Sequence, residues 1–460
     1  MRGAYTADDA DAPSHGVAFR DAARFWIKLG FINFGGPTGQ IAIMHEELVE
    51  RRRWISESRF LHALNYCMLL PGPEAQQLAI YVGWLLHKVK GGLVAGIAFV
   101  LPAFFLILGL SYSYVTYGDV GWVGSVFYGL RAAVVGIVAA AAVRLASKAF
   151  IAPVMYAIAL LAFIAVFFVH VPFPLIVIGA GVLGLVGGAA RPTAFSRREH
   201  AEPRASQGVA VADDRSAGAH TDLRLRRTLI VLGAGLAAWV VPLSVVALWR
   251  GADDTLTEEA VFFSQAALVT FGGAYAVLGY IGQAAVTQFG WLRPGQLIVG
   301  LGLAESTPGP LIMVTEFVGF VAAYQHPGDL DPLVAGVLGA CVTTWATFAP
   351  CFLWIFLGAP FVERLRGNER LSVALSAITA AVVGVVLNLA LWFAIHTLFD
   401  EVRDVEVLGG PIPVPDLASV DPFAVALAAI VGVGLMRYRW NVVAVVAGSA
   451  IAGLVHGFVT

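Results

Sequence analysis

The chain has 460 residues, 58% of them hydrophobic, with a mean hydropathy of +0.79 and only 13% charged residues, about half the roughly 25% typical of soluble domains. Runs such as Gly91 to Ser113 and Leu371 to Phe399 stay nearly free of charge over the roughly 20 residues that a bilayer crossing needs, which excludes a soluble enzyme. A net charge of −2 with no basic stripe outside the loops argues against a nucleic-acid partner.

In chain order, residues 1–16 are acidic and polar, lack the basic and apolar regions of a cleaved signal, and read as a cytoplasmic tail. Residues 17–190 form a first apolar unit, 191–228 an Arg-rich cytoplasmic linker, 229–249 a single apolar helix, and 260–460 a second unit. The units repeat. Phe34-Gly35-Gly36 recurs as Phe271-Gly272-Gly273, Pro71-Gly72-Pro73 as Pro308-Gly309-Pro310, and Trp54 as Trp291, all at an offset of 237 residues. Leu93 to Ile97 recurs as Leu333 to Val337 at an offset of 240, and Ala132 to Gly136 as Ala380 to Gly384 at 248. Landmarks sharing one offset mark two homologous halves. The three cysteines, Cys67, Cys341 and Cys351, lie in apolar segments without metal-ligand spacing, so neither a disulfide framework nor a zinc site is expected.

Charges orient each half, because Lys- and Arg-rich short loops stay in the cytoplasm. In the first half the basic loops are Arg51 to Arg53 and His87 to Lys90, whereas Ser113 to Gly121 has no positive charge. The second half reverses this: Gln288 to Pro294 has one positive charge, Tyr324 to Pro332 is acidic, and Glu363 to Arg370 is basic. The single helix 229–249, between the basic linker and the acidic Gly251 to Glu259, supplies the odd crossing that the inversion demands. Asp400 to Val407 then reads outside, Arg437 to Arg439 inside, and the C-terminus outside.

The glycine and proline motifs interrupt apolar segments of 13 to 16 residues, which as helices span about 20–24 Å, short of a hydrocarbon core of about 30 Å. They read as re-entrant hairpins, entering from opposite sides in the two halves, with tips meeting near the midplane. Each break starts a new helix whose first N–H groups lack partners and carry about half a positive charge, which suits an anion. The expected substrate-binding residues are Asn33, Phe34, Gly35, Gly36, Pro37, Thr38, Gln40, Pro71, Gly72, Pro73, Gln76, Gln77, Gly272, Gly273, Thr307, Pro308, Gly309 and Pro310. Glycine permits close backbone approach, and the Thr and Gln side chains add donors. The same motifs also serve as close-packing points and kinks, and that alternative stays open.

Several residues carry a family resemblance. The pattern FxxFGGPxGQIA (Phe31 to Ala42), the following RRRW, PGPEAQQLAIYVG (Pro71 to Gly83), GxxAGxxFxLP (Gly92 to Pro102) and the second-half FGG and PGP motifs resemble the long-chain chromate transporter family across both halves. The resemblance implies a multi-pass transporter of the bacterial inner membrane that exports chromate and confers chromate resistance, with sulfate among the oxyanions of related members. The second half departs from the first, with Ala274 in place of Pro37 and Leu311 in place of Glu74.

Ionisable residues at membrane depth are functional candidates. Lys28 either reaches toward an anion at the tip or snorkels to the interface, and Arg131 either binds the oxyanion or sits at the headgroups. Glu74 either couples anion binding to a proton or caps its own helix, and Glu305 and Glu316, which flank the second PGP, pose the same question. His45, Glu46 and Glu47 read as a solvated helix end. Neither a Walker motif nor HExxH or GxSxG is present. The expectation is an all-α polytopic membrane protein with two halves in inverted topology: a secondary active oxyanion transporter, not an enzyme, coupled to protons or another anion. Chromate and sulfate are the expected substrates, the lipid bilayer the surroundings, a homodimer an open assembly, and no cofactor or metal is called for. Sulfate uptake and a passive anion channel are the rivals.

Overall fold

The computed structural model describes residues 16–34, 36–68, 70–118, 120–150, 152–190, 225–271, 274–358, 369–407 and 410–459. Helix α1 (Phe19–Ile32) buries Ala22, Phe25, Trp26, Leu29 and Gly30, a stripe at helical spacing, and ends at Asn33, whose φ of −88° and ψ of 67° leave the helical region. After that break α2 (Gly36–His45) begins and runs into a π-helical turn, Glu46–Arg51. Helix α3 (Glu57–Cys67) starts where the Ser56 hydroxyl accepts a hydrogen bond from the Arg59 N–H. The chain breaks again at Pro71-Gly72-Pro73, and α4 (Glu74–Tyr117) follows.

Helix α4 is two limbs rather than one rod, because His87 and Lys88 are non-helical. The limbs fold back on each other through Gly83 and Gly91: a Cβ on Gly83 would stand 2.5 Å from the Gly91 carbonyl oxygen. The basic loop expected at His87 to Lys90 is therefore a tight reversal. Helices α5 (Gly121–Ala149), α6 (Pro153–Phe167) and α7 (Phe173–Ala190) complete the first repeat. The connecting helix α8 (Leu225–Arg250) begins four residues before the expected 229, and almost none of its apolar length is buried.

The second repeat reproduces this order. Helices α9 (Thr255–Val269) and α10 (Ala274–Gln283) match α1 and α2, and even the π-helical turn recurs, at Ala284–Gln288. Helix α11 (Pro294–Ser306) matches α3, and a 3-10 turn, Leu311–Met313, leads into α12 (Val314–Gln325), the counterpart of the first limb of α4. Then come α13 (Pro332–Gly358), α14 (Glu369–Leu398), α15 (Pro422–Arg437) and α16 (Val442–Val459). The chain is not wholly helical: β1 (Val402–Val407) pairs antiparallel with β2 (Gly410–Pro415), placing Val405 opposite Ile412 where an acidic loop was expected. The β-branched Val402, Val405, Val407, Ile412 and Val414 favour an extended ribbon over a coil.

Among the described residues, seven helices are long and apolar enough to cross a membrane: α4, α5, α7, α8, α13, α14 and α16. The two repeats are intertwined. Helix α5 packs on α15 and α16 of the other repeat, and its counterpart α14 packs on α6 and α7 of the first. Glycines permit the close crossings: a Cβ on Gly136 would lie 2.5 Å from the Ala428 carbonyl oxygen, and one on the equivalent Gly384 2.1 Å from that of Ala159. A smaller core surrounds α1, α3 and the first limb of α4 and takes in Cys351 and Ile355 of α13.

Candidate functional site: the converging helix breaks

Two backbone hydrogen bonds join the breaks crosswise. The Gly72 N–H donates to the Thr270 carbonyl at 2.8 Å, and the Gly309 N–H donates to the Asn33 carbonyl at 2.9 Å. Gly72 and Gly309, and likewise Asn33 and Thr270, are separated by the same 237 residues, so these are two copies of one contact. The tip of each PGP break is thereby pinned to the other repeat's first break. Both glycines have φ values that L side chains rarely adopt, +121° and +116°, which is why the PGP centre requires glycine. The Gln40 side-chain amide adds a third link by donating to the Gly309 carbonyl, with the Asn33 carbonyl 3.5 Å from the same nitrogen.

Pro37 and Gln40 from the first break, Pro73, Glu74 and Ala75 from the second, and Pro310, Leu311 and Ile312 from the fourth line one small cavity with room for about one water molecule. Helices α2 and α4 and the turn leading into α12 all begin there. Neither Pro73 nor Pro310, the caps of the last two, supplies a side-chain hydrogen bond to its helix, so backbone donors are left for an occupant. The starts of α2 and α4 carry about half a positive charge each.

Around these ends lie buried amides with unused capacity. Neither polar atom of the Asn33 or Gln76 side chain has a hydrogen-bond partner, and both residues are fully buried. An unpaired buried amide costs about 1–3 kcal/mol, which is difficult to reconcile with a purely structural role. Gln77 is partly occupied: its amide donates to the Pro71 carbonyl at 2.7 Å and lies 3.8 Å from the Cys351 sulfur. Thr307 is buried and bonds back to the Ala304 carbonyl at 3.2 Å, so its hydroxyl is spent within its own helix end. Phe34 is half-buried. Gly35, Gly272 and Gly273 lie outside the described residues, as does the side chain of Thr38.

Two expected cations are not brought to this place. Lys28 is exposed on the stripe of α1 that also shows Ile27 and Phe31, opposite the buried face, which fits snorkelling along lipid rather than reaching the break. Arg131 packs its guanidinium against Gly295, at the start of α11; Pro308 lies beyond the other end of that helix, about 20 Å away along its axis. Of the acids, Glu74 lines the cavity and is half-buried. Glu305 is buried and accepts a hydrogen bond from the Tyr275 hydroxyl, and Glu316 is fully buried with neither oxygen bonded.

Residues 20–185 and 257–454 match the family described as chromate transporter. The chain belongs to that family. The transporter is 29% identical over 399 residues to a probable chromate transport protein of Synechococcus elongatus, covering 85% of this chain and 89% of that one. It is 30% identical over 397 residues to a chromate transport protein of Cupriavidus metallidurans, covering 85% of each, and 31% identical over 374 residues to one of Pseudomonas aeruginosa, covering 79% and 78%. No solved structure matches it. Membership places the transporter among multi-pass membrane proteins and in a transporter family rather than an enzyme family.

Three buried or bonded residues around the breaks were not read from the sequence. Thr270 and Tyr275 act through contacts between segments far apart in the chain. Glu259 was assigned to an acidic external loop, yet it lies inside α9, fully buried with neither oxygen bonded. Its signal was present: Leu256 and Phe263, three before and four after it, form a buried helical stripe. At the opposite end of the first hairpin, Glu47 is buried rather than solvated and meets Arg51 at 3.0 Å and Arg52 at 3.2 Å. Burial pushes its carboxyl up, but the bonds from Arg52 and Arg51 outweigh that and leave it below the usual carboxylate range.

Proposed function

We propose that the protein is a secondary active transporter of tetrahedral oxyanions that carries chromate out of the cell across the bacterial inner membrane, giving chromate resistance. The observation that carries this reading is the meeting of three helix beginnings at one cavity, two of them capped by prolines without side-chain bonds, beside the unpartnered amides of Asn33 and Gln76. Backbone N–H groups and neutral amides suit a dianion, because they supply donors without fixing a counter-charge that would trap it. The named relatives are chromate transport proteins, and chromate is a tetrahedral dianion. A chromate ion is larger than the cavity as it stands, so binding requires the breaks to part and release is their return.

The broken hairpins are re-entrant in this reading, entering from the cytoplasm in the first repeat and from outside in the second. The N-terminus is cytoplasmic and the C-terminus outside, with α8 providing the inversion. Glu74, on the cavity wall, couples the anion to a proton: its ionised form repels a dianion and its neutral form admits it. The direct test is chromate uptake into everted membrane vesicles with and without a proton gradient, with sulfate as competitor. Uptake driven uphill by the interior-positive potential of the energised vesicle is expected, because a chromate dianion with one proton still carries net negative charge. Uptake that only follows the chromate gradient down would make the protein a channel, and no uptake under any gradient would remove the efflux assignment.

A further inference from the structure

Two cations that the sequence alone did not single out stand near the end of α5. Arg144 and Lys148 are four residues apart, so they share one face of the helix about 6 Å apart along its axis, with Lys148 in the last turn. Both are exposed. Among the described residues neither takes part in a salt bridge. Arg144 is positioned by a neutral group, its guanidinium donating to the Leu435 carbonyl of α15 at 3.1 Å.

Both charges are nevertheless felt at the helix breaks. Lys148 acts on Glu74, on the cavity wall. Arg144 acts on Glu305 and Tyr275, which bond to each other beside the second repeat's breaks. Water screens charges from one another beyond about 10 Å at ionic strengths of about 0.1 M, so exposed cations that act on these groups stand close to them.

The second repeat has no such pair. At the 248-residue offset relating α5 to α14, Arg144 and Lys148 correspond to Trp392 and His396. Those two rings pack with centroids 4.3 Å apart, and the His396 Nδ1 donates to the Trp392 carbonyl at 2.9 Å. Beyond them come Asp400 and Glu401, both exposed. Equivalent helices thus end in two cations free of carboxylates at one place, and in a packed aromatic pair followed by acids at the other.

We infer that Arg144 and Lys148 form a second anion site, an inner landing where a tetrahedral dianion is gathered before it reaches the breaks. The inference rests on the oxyanion-transport reading and its topology, which puts this end of α5 in the cytoplasm, and it adds the place of entry. A planar guanidinium and an ammonium one turn apart take different oxygens of one tetrahedral ion. Exposure keeps the hold weak, so the ion is concentrated without being trapped. At the outer end Asp400 and Glu401 repel it, which favours departure over return.

The test measures initial chromate uptake against chromate concentration, at two ionic strengths and matched protein level, in everted vesicles, which present the cytoplasmic face, and in right-side-out vesicles. In everted vesicles Lys148→Gln is expected to raise the half-saturating concentration about three- to tenfold, leave the maximal rate nearly unchanged and weaken the salt dependence. Lys148→Glu should raise it further, and Lys148→Arg should stay near wild type. Arg144→Gln should shift it in the same direction. Lys148 holds no hydrogen bond among the described residues, so its variants carry the test even where Arg144→Gln disturbs packing at Leu435. In right-side-out vesicles the half-saturating concentration should not move. An unshifted value in Lys148→Gln and Lys148→Glu, an equal shift in both orientations, or a shift confined to right-side-out vesicles would overturn the landing and leave transport itself standing. A shift that vanishes in liposomes of zwitterionic lipid would overturn it too, by assigning Lys148 to the headgroups. If the wild type takes up no chromate in either orientation, the transport reading has failed and the landing falls with it.

Discussion

Replacing Gly309 with alanine probes the contact on which the converging breaks depend. Gly309 has φ +116°, donates its N–H to the Asn33 carbonyl at 2.9 Å, and a Cβ built on it would lie 2.4 Å from the Ala103 Cβ. An L residue held at such a φ costs about 1–3 kcal/mol, overpacking of a tight site about 1–3 kcal/mol, and loss of the cross-repeat hydrogen bond about 1 kcal/mol. A total of about 3–7 kcal/mol lowers the population of the joined conformation by roughly two to five orders of magnitude, since about 1.4 kcal/mol is tenfold. Chromate uptake into everted vesicles, at matched protein level, is expected to fall by that order. Gly36→Ala is the control. Gly36 has φ +64°, but a Cβ there meets nothing within 4 Å, so only the backbone cost of about 1–2 kcal/mol remains and the loss should stay near tenfold. Uptake by Gly309→Ala at the wild-type rate, or a heavier loss in Gly36→Ala than in Gly309→Ala, would refute the reasoning.

Three further outcomes follow from the same geometry. Gln76→Leu removes a buried amide whose two polar atoms have no partner, so the melting temperature in detergent should hold or rise while chromate transport drops about tenfold or more; undiminished transport would show that the amide does not serve the anion. Glu74→Gln, on the cavity wall, should flatten the pH dependence of transport while some chromate binding survives, and an unaltered pH profile would retire Glu74 as the coupling residue. Glu47 is held below its ordinary 4.5 by its arginines, so the stability it adds is present above that value and is lost as the pH falls through the folded-state value. Melting curves should show Glu47→Gln about 1–2 kcal/mol less stable than wild type at neutral pH, with the gap closing in acid; a gap independent of pH would mean the ion pairs contribute nothing.

Much of the architecture was legible in the residues. The breaks at Asn33 and Pro71 appear where glycine and proline interrupt apolar periodicity, because these residues change the local backbone whatever surrounds them. The second repeat follows α-helix by α-helix, down to the π-helical turn at Ala284–Gln288. Lys28 and Arg131 were harder, since a cation six residues from a break, or at the head of an apolar helix, faces the site or faces away according to helix rotation and packing. Glu259 was misplaced because a run of acids reads as a loop until its helical phase with Leu256 and Phe263 is counted.

By itself, the sequence determined that this chain lives in a membrane, that it is built twice, and that each copy is broken at glycine and proline, because hydropathy, offset and backbone preference are all local properties of the chain. Only the tertiary structure decided that Gly72 joins Thr270 and Gly309 joins Asn33, and that the buried Asn33, Gln40, Gln76 and Gln77 lie in the first repeat while Glu259, Glu305 and Glu316 are buried in the second. Those pairings span long stretches of chain, and they arise where the intertwined helices leave backbone donors facing carbonyls that no neighbour in sequence can satisfy.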